Sequence, residues 1–111
     1  MSDFVPCPCC ALPTLNARGD LEICPVCWWE DDGSDDPDAA FGPNGEYTLR
    51  RARTNYADHL DMYDADKGIG AVANPSPARK TLLAYLKSVR AGERRHDERV
   101  LHGLLRGLNH D

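Results

Sequence analysis

Apolar residues recur at three- and four-residue steps in the middle of the chain. Five residues share this spacing: Leu49, Ala52, Tyr56, Leu60 and Tyr63. The pattern predicts an amphipathic helix over about residues 49–63, with Thr48 as its N-cap. The sequence Gly-Pro-Asn-Gly at residues 42–45 predicts a turn just before this helix.

Two further segments toward the C-terminus have the same periodicity. Ser76 and Pro77 suit the N-cap and first position of a helix that continues to about residue 91, where Gly92 is a stop signal. A third helix is predicted over about residues 93–106, with Val100 and Leu104 on its apolar side. We expect these two helices to form a hairpin.

The N-terminal part shows short alternating stretches instead. Residues 14–16 and 21–23 flank a Gly-containing turn and predict a β-hairpin. Residues 30–45 are rich in Asp, Gly and Pro and predict an acidic loop. The predicted fold class is α+β, a small β-hairpin module followed by about three helices. Residues 1–63 form one domain and residues 64–111 a helical extension packed on it.

Two CxxC pairs lie within this β-module, thirteen residues apart. The pairs are Cys7 with Cys10 and Cys24 with Cys27. This spacing is typical of a four-thiolate zinc site, in which four sulfurs close tetrahedrally on one ion and leave no position for a substrate. The sequence therefore predicts a zinc-ribbon-like module with one structural zinc ion.

Cys9 is the fifth cysteine and lies between two predicted ligands. It cannot join the same tetrahedron without displacing a neighbour. One interpretation is a small buried residue of the turn. The other is a thiol that exchanges with Cys7 or Cys10, or reacts with an oxidant.

The N-terminus has neither a charged region nor an apolar run, and no segment approaches the roughly 18 apolar residues of a membrane span. We therefore expect a cytoplasmic protein. In a reducing compartment, paired cysteines at this spacing favour a metal over disulfides.

The net charge of −5 is unevenly distributed. Residues 1–48 contain ten acidic residues and one basic residue, Arg18, whereas residues 49–111 contain eight acidic and twelve basic residues. A surface as acidic as the first half repels phosphate, so it favours a basic protein partner over nucleic acid.

The segment after the last cysteine is the predicted partner-binding surface, because it combines aromatic rings with carboxylates. Its residues are Trp28, Trp29, Glu30, Asp31, Asp32, Asp35, Asp36 and Asp38. One tryptophan is expected in the core and the other as a cover over the cysteines or an exposed anchor. A solvated acidic loop is an alternative, and so is a loop fixed by ion pairs to Arg50, Arg51 and Arg53. A calcium loop is disfavoured because the EF-hand spacing is absent.

Four segments together resemble the bacterial cysteine-rich CPCC domain family. They are residues 7–10, residues 24–32, residues 42–45, and Ala52-Arg53 with Asn55-Tyr56. The resemblance covers roughly residues 4–60 and implies a small bacterial cytosolic protein with a zinc-ribbon-like core, no established enzymatic activity and an association with toxin and immunity systems. Two positions depart from the family pattern. Ala11 stands where Gly is usual, and Arg51 stands where a Glu would complete a capping box with Thr48.

These observations favour a non-enzymatic binding module, plausible as an immunity-type or adaptor protein. No catalytic triad, phosphate loop or paired-carboxylate cleft is recognisable in the sequence. One alternative is a thiol- or metal-responsive switch based on Cys9. Another is a nucleic-acid-associated zinc ribbon that uses basic residues of the helical half, namely Arg50, Arg51, Arg53, Arg79, Lys80, Arg94, Arg95 and Arg99.

Overall fold

Two small β-hairpins and three α-helices make up the described part of this computed structural model, residues 4–40, 42–65 and 74–108. The predicted α+β class is confirmed. The chain divides into two units, residues 1–65 and 66–111. Packing of the helical unit on the first unit stays a prediction. None of the described helices is long and apolar enough to cross a membrane.

Each CxxC pair lies in the turn of its own antiparallel hairpin. Strand β1 (Val5–Pro6) pairs with β2 (Pro13–Leu15), and Val5 lies opposite Leu15. Strand β3 (Glu22–Ile23) pairs with β4 (Glu30–Asp31), and Glu22 lies opposite Asp31. The cysteines therefore sit at one end of each hairpin.

The predicted pairing of residues 14–16 with residues 21–23 is wrong. These segments belong to different hairpins, because the CxxC turn itself reverses the chain after β1 and again after β3. They are connected through the Glu22 side chain and not by the backbone hydrogen bonds of paired strands. The Asn16 backbone N–H donates to the Glu22 carboxylate at 3.0 Å.

Helix α1 (Leu49–His59) follows a turn in which the Gly45 N–H donates to the Gly42 carbonyl at 3.1 Å. Thr48 is the N-cap, as predicted, and its hydroxyl accepts from the Arg51 N–H at 3.1 Å. The helix ends four residues earlier than predicted.

The early end of α1 has a tertiary cause. Leu60 adopts a left-handed conformation with a φ of 71°, and its N–H donates to the Tyr56 carbonyl. The chain then turns back so that the Met62 N–H donates to the Cys27 carbonyl at 3.0 Å. Leu60 and Met62 are buried by this turn, which joins the end of the helix to the second cysteine pair.

Apolar side chains from the hairpins, α1 and the segments on either side of α1 are buried in the first unit. They include Leu15, Val26, Trp29, Tyr47, Leu49, Ala52, Leu60 and Met62. This core is small, which is typical of modules that need a metal or another cross-link for stability.

The second unit contains α2 (Pro77–Arg90) and α3 (Glu98–Leu108). The prediction for α2 is confirmed at both ends, with Ser76 as the N-cap and Gly92 at a φ of 75° just beyond the helix. Helix α3 begins five residues later than predicted. The Tyr85 hydroxyl accepts from the Asp97 N–H at 2.7 Å and holds the connecting segment against α2.

Candidate metal centre

Four cysteine sulfurs lie together at the turns of the two hairpins. The Sγ atoms of Cys7, Cys10, Cys24 and Cys27 all lie within 4.8 Å of one another, and all four residues are buried. The distance from Cys7 Sγ to Cys27 Sγ is 3.6 Å, and that from Cys10 Sγ to Cys24 Sγ is 3.7 Å. A zinc ion bound tetrahedrally at about 2.3 Å requires sulfurs about 3.8 Å apart. These two distances are therefore close to those of a zinc tetrathiolate, and all five cysteines are free of disulfides.

The two turns have the same backbone geometry, which explains why both aim two sulfurs at one point. The N–H of Ala11 donates to the Cys7 carbonyl at 2.8 Å, and the N–H of Trp28 donates to the Cys24 carbonyl at 2.8 Å. Ala11 and Trp28 are both left-handed, with φ values of 66° and 72°. Glycine adopts this conformation most easily. Both turns nevertheless keep it with a residue that carries a side chain.

Hydrogen bonds within the cluster act on the cysteine thiols in opposite directions. Burial opposes ionisation of Cys24, but hydrogen bonds from Cys10, Cys27, Cys7 and Thr14 lower the pKa of its thiol. The Thr14 hydroxyl lies 3.0 Å from Cys24 Sγ. The hydrogen bond to Cys24 is the largest influence on Cys10 and raises the pKa of that thiol.

The donor set fits a divalent, thiophilic ion. Four crowded thiols cannot all ionise without a positive charge, and a metal supplies that charge as it displaces the protons. With four sulfurs as ligands the ion has no open position, so its contribution when bound is to cross-link the two hairpins. Ligation by these four residues remains a prediction.

Cys9 lies outside the four-sulfur cluster but next to it. Its side chain interacts with that of Cys27, and only 7% of the residue is exposed. This burial agrees with the interpretation of Cys9 as a small packing residue of the turn.

Asp31 was expected on the partner-binding surface, but its carboxylate is buried. It accepts from Arg18 Nε at 2.8 Å, from the Gly19 N–H at 2.9 Å and from the Gly33 N–H at 3.1 Å. Burial opposes its ionisation, yet these hydrogen bonds hold the pKa of the carboxyl below its usual range. Asp31 therefore fixes the loops around it.

The two tryptophans differ in exposure, as predicted. Trp29 is buried, whereas Trp28 is half-buried with its ring centroid 6.1 Å from that of Tyr63. Glu30 is also half-buried, and its backbone N–H and carbonyl are both bonded to the Asn44 side chain.

Four aspartates of the segment remain exposed, namely Asp32, Asp35, Asp36 and Asp38. Asp35 pairs with Arg18 at 2.9 Å, and Asp38 pairs with Arg50 at 2.9 Å. Among the described residues, Asp32 and Asp36 have no ion pair with a basic side chain.

Of the three arginines expected to fix the loop, only Arg50 does so. Arg51 pairs with Asp64 and lies over the Tyr47 ring, and Arg53 donates from Nε to the Pro8 carbonyl at 2.8 Å.

Two contributors to this region were missed by sequence reasoning. Arg18 is the single basic residue among ten acidic ones in residues 1–48, and that isolation was a usable signal for an internal ion pair. Thr14 had no such signal, since its contact with Cys24 depends on how the two hairpins meet.

A family model described as cysteine-rich CPCC matches residues 5–76 of the chain. The match includes both cysteine turns, the acidic segment and α1, and it extends further than the roughly 4–60 expected from the motifs. No curated protein and no solved structure gives a match.

Proposed function

Because the chain belongs to the cysteine-rich CPCC family, we propose that it is a non-enzymatic, zinc-stabilised module that binds a basic protein partner through its acidic segment. The observation that carries the proposal is the buried cluster of four sulfurs, all within 4.8 Å of one another. An immunity-type or adaptor role in the cytoplasm, where thiols stay reduced, suits such a module.

The choice of partner rests on charge. Residues 1–65 contain thirteen acidic and four basic residues, and Asp32 and Asp36 are exposed without an ion pair among the described residues. Exposed carboxylates of this kind accelerate the encounter with a basic surface.

Metal analysis tests the zinc part of the proposal. We expect one zinc ion per chain in the purified protein and its loss when Cys7, Cys10, Cys24 or Cys27 is replaced by Ser. Cys9→Ser is the matched control and should retain the ion. Retention of zinc by the Cys10→Ser variant together with its loss from Cys9→Ser would show that the ligand assignment is wrong.

Binding kinetics test the partner part. Once cross-linking in the native host has identified a partner, replacing Asp32 and Asp36 by Asn should slow association and weaken its salt dependence. If these substitutions have no effect while substitutions between Lys80 and Arg106 do, recognition belongs to the helical unit and the acidic segment is a solvated loop.

The nucleic-acid alternative has less support from the positions of the basic residues. Arg79 is buried, and Arg50, Arg51 and Arg53 are engaged with Asp38, Asp64 and the Pro8 carbonyl. The switch alternative would require a reactive Cys9, and the burial of that residue disfavours access by an oxidant.

A further inference from the structure

The helical hairpin of the second unit leaves much of its apolar surface unburied. Helix α3 contains five aliphatic residues, and only Leu101 among them is buried. The other four are half-buried, namely Val100, Leu104, Leu105 and Leu108. Two packed helices cover only one side of each other, so a further element is needed to bury the rest of such a stripe.

Part of this surface forms a groove between α2 and α3, with a volume of about 290 Å³. Helix α3 contributes Val100 and Leu104 to its lining. Helix α2 contributes four residues at three- and four-residue steps, namely Thr81, Ala84, Tyr85 and Ser88. The groove therefore follows α2 for two turns, or about 10 Å, which suits apolar side chains one turn apart on a partner helix.

The hydroxyl groups in this groove are already engaged within the chain. The Thr81 hydroxyl donates to the Pro77 carbonyl at 3.1 Å, and the Ser88 hydroxyl donates to the Tyr85 carbonyl at 2.7 Å. The Tyr85 hydroxyl accepts from the Asp97 N–H at 2.7 Å. A ligand that binds through many hydrogen bonds, such as a sugar or a nucleoside, therefore gains little here.

Arg94 is the one charged residue in the described lining of the groove. Its guanidinium lies over the Tyr85 ring, 4.7 Å from the ring centroid, and has no hydrogen bond or ion pair with the described residues. The ring contact orients the side chain and leaves its N–H groups available for a carboxylate, which a guanidinium binds in a bidentate manner. Arg94 thus supplies a positioned positive charge beside an apolar surface.

The charges next to the groove have the same sign as Arg94. Lys80 lies four residues before Ala84 and Lys87 three residues after it, so both lysines neighbour Ala84 on the surface of α2. Both are exposed, and neither has an ion pair among the described residues. An acidic partner is therefore attracted to this face, whereas the first unit is suited to a basic one.

We propose that the groove binds an amphipathic helix of another protein, with leucine-like side chains on one face and Glu or Asp beside them. The apolar side chains contact Ala84, Val100 and Leu104, and a carboxylate pairs with Arg94. The bound helix completes a three-helix arrangement with α2 and α3. This site goes beyond the proposed function, because it takes a partner segment of the opposite charge on the other unit.

The helices of a second copy of this chain do not suit the groove. Each of the three described helices contains more basic than acidic residues. A helix of that kind is repelled by Arg94 and the two lysines. The acidic helix therefore comes from a different protein.

Peptide titration followed by NMR tests the proposal on the intact chain. The probe is acetyl-Glu-Leu-Ala-Glu-Leu-Leu-Ala-Glu-Leu-Ala-amide, whose leucines share one helical face with glutamates beside them. The control peptide has Gln in place of each Glu, which keeps the shape and removes the charge. We expect the glutamate peptide to shift the Arg94 Nε–H signal and the methyl signals of Val100 and Leu104. The glutamine peptide should bind about fivefold more weakly.

Two variants separate the two parts of the contact. Arg94→Gln should raise the Kd of the glutamate peptide about fivefold and leave that of the glutamine peptide unchanged. Arg95→Gln is the matched control, since Arg95 is exposed and does not line the groove. Ala84→Gln places a longer side chain in the groove from an exposed helical position, so it should weaken both peptides while urea unfolding stays close to wild type.

Three results would overturn the proposal. The first is an absence of methyl shifts at Val100 and Leu104 at the solubility limit of the glutamate peptide. The second is an equal effect of Arg94→Gln and Arg95→Gln, which would show nonspecific attraction to a basic surface. The third is binding to phosphatidylserine vesicles that Ala84→Gln abolishes, which would assign the groove to a membrane surface. None of these results depends on the zinc site or on the acidic segment, so the groove and the proposed function can fail separately.

Discussion

Ala11 and Trp28 occupy equivalent places, each directly after the second cysteine of a CxxC pair and each in the left-handed conformation. A residue with a Cβ is destabilised there by roughly 1–2 kcal/mol relative to its right-handed conformation. Trp28 offsets this strain by packing its ring near Tyr63. Ala11 is exposed, so its methyl group gains little from burial to offset the strain.

Replacing Ala11 by Gly should therefore stabilise the metal-bound protein. We expect a gain of about 0.5–1 kcal/mol, since relief of the left-handed strain exceeds the added flexibility of the unfolded chain. Denaturant unfolding measures the difference. Ala57→Gly is the control at an exposed site within α1, where glycine should destabilise by about 1 kcal/mol. Loss of stability in both variants would contradict this account of Ala11.

The buried ion pair of Asp31 should have a measurable effect on stability. Asp31→Asn should lower the free energy of unfolding by about 2 kcal/mol at neutral pH, because the Arg18 guanidinium and two backbone N–H groups lose a charged acceptor. Asp35→Asn removes the exposed pair of the same arginine and should change stability by less than about 1 kcal/mol.

The pH dependence of the Asp31 effect has a definite sign. Because the folded-state pKa of this carboxyl is below its usual range, the contribution is fully present above the unfolded value of about 3.9 and is lost as the pH falls through the folded value. Urea unfolding of the wild type and of Asp31→Asn should therefore give curves that converge below about pH 4. If the difference in unfolding free energy between the two proteins stays constant as the pH falls, Asp31 acts by its shape and not by its charge.

At the scale of elements, the sequence predicts the features that depend on local signals and misses those that depend on tertiary contacts. The caps Thr48 and Ser76 act on backbone groups three residues away, so both helix starts followed from sequence. The end of α1 depends on Met62 reaching Cys27, and the start of α3 depends on Tyr85 reaching Asp97. These contacts connect residues that no local pattern relates.

The sequence predicted which residues form the candidate site, but not the two hairpins that position them. The CxxC spacing indicated the four cysteines that the structure brings together. It did not indicate that each pair forms the turn of a separate hairpin, since the alternating residues 14–16 and 21–23 favoured a pairing with each other.

The hairpins should depend on the metal more than the helices do. Each ladder is only two or three residues long, which is too short for independent stability in water. Chelation should therefore speed amide hydrogen exchange over residues 5–31 first, while α2 and α3 keep their protection. Simultaneous loss of protection in α2 and in the hairpins would show that the two units unfold as one.

At the scale of the whole molecule, the two units carry opposite charge. Residues 1–65 contain thirteen acidic and four basic residues, whereas residues 66–111 contain five acidic and nine basic residues. A partner that contacts only one unit therefore meets a surface of a single predominant sign.

Binding to nonspecific duplex DNA tests which of these two surfaces dominates recognition. Because the acidic unit repels phosphate, we expect no appreciable binding by the intact chain at physiological salt. Fluorescence anisotropy over a salt series measures it. Tight binding that falls steeply as salt is added would favour the basic unit as the recognition surface and the nucleic-acid alternative. Glu substitutions at Arg94 and Arg95 would then be expected to abolish it.

Helix α1 touches both cysteine turns, through Arg53 to the Pro8 carbonyl and through the chain after Leu60 to the Cys27 carbonyl. If an ion binds the four cysteines, these two contacts would resist any change in the gap between the turns. A gap set in advance discriminates by ionic radius, because a larger thiophilic ion has to push the turns apart and stretch both contacts. Contacts made by one helix would in this way help to select the metal.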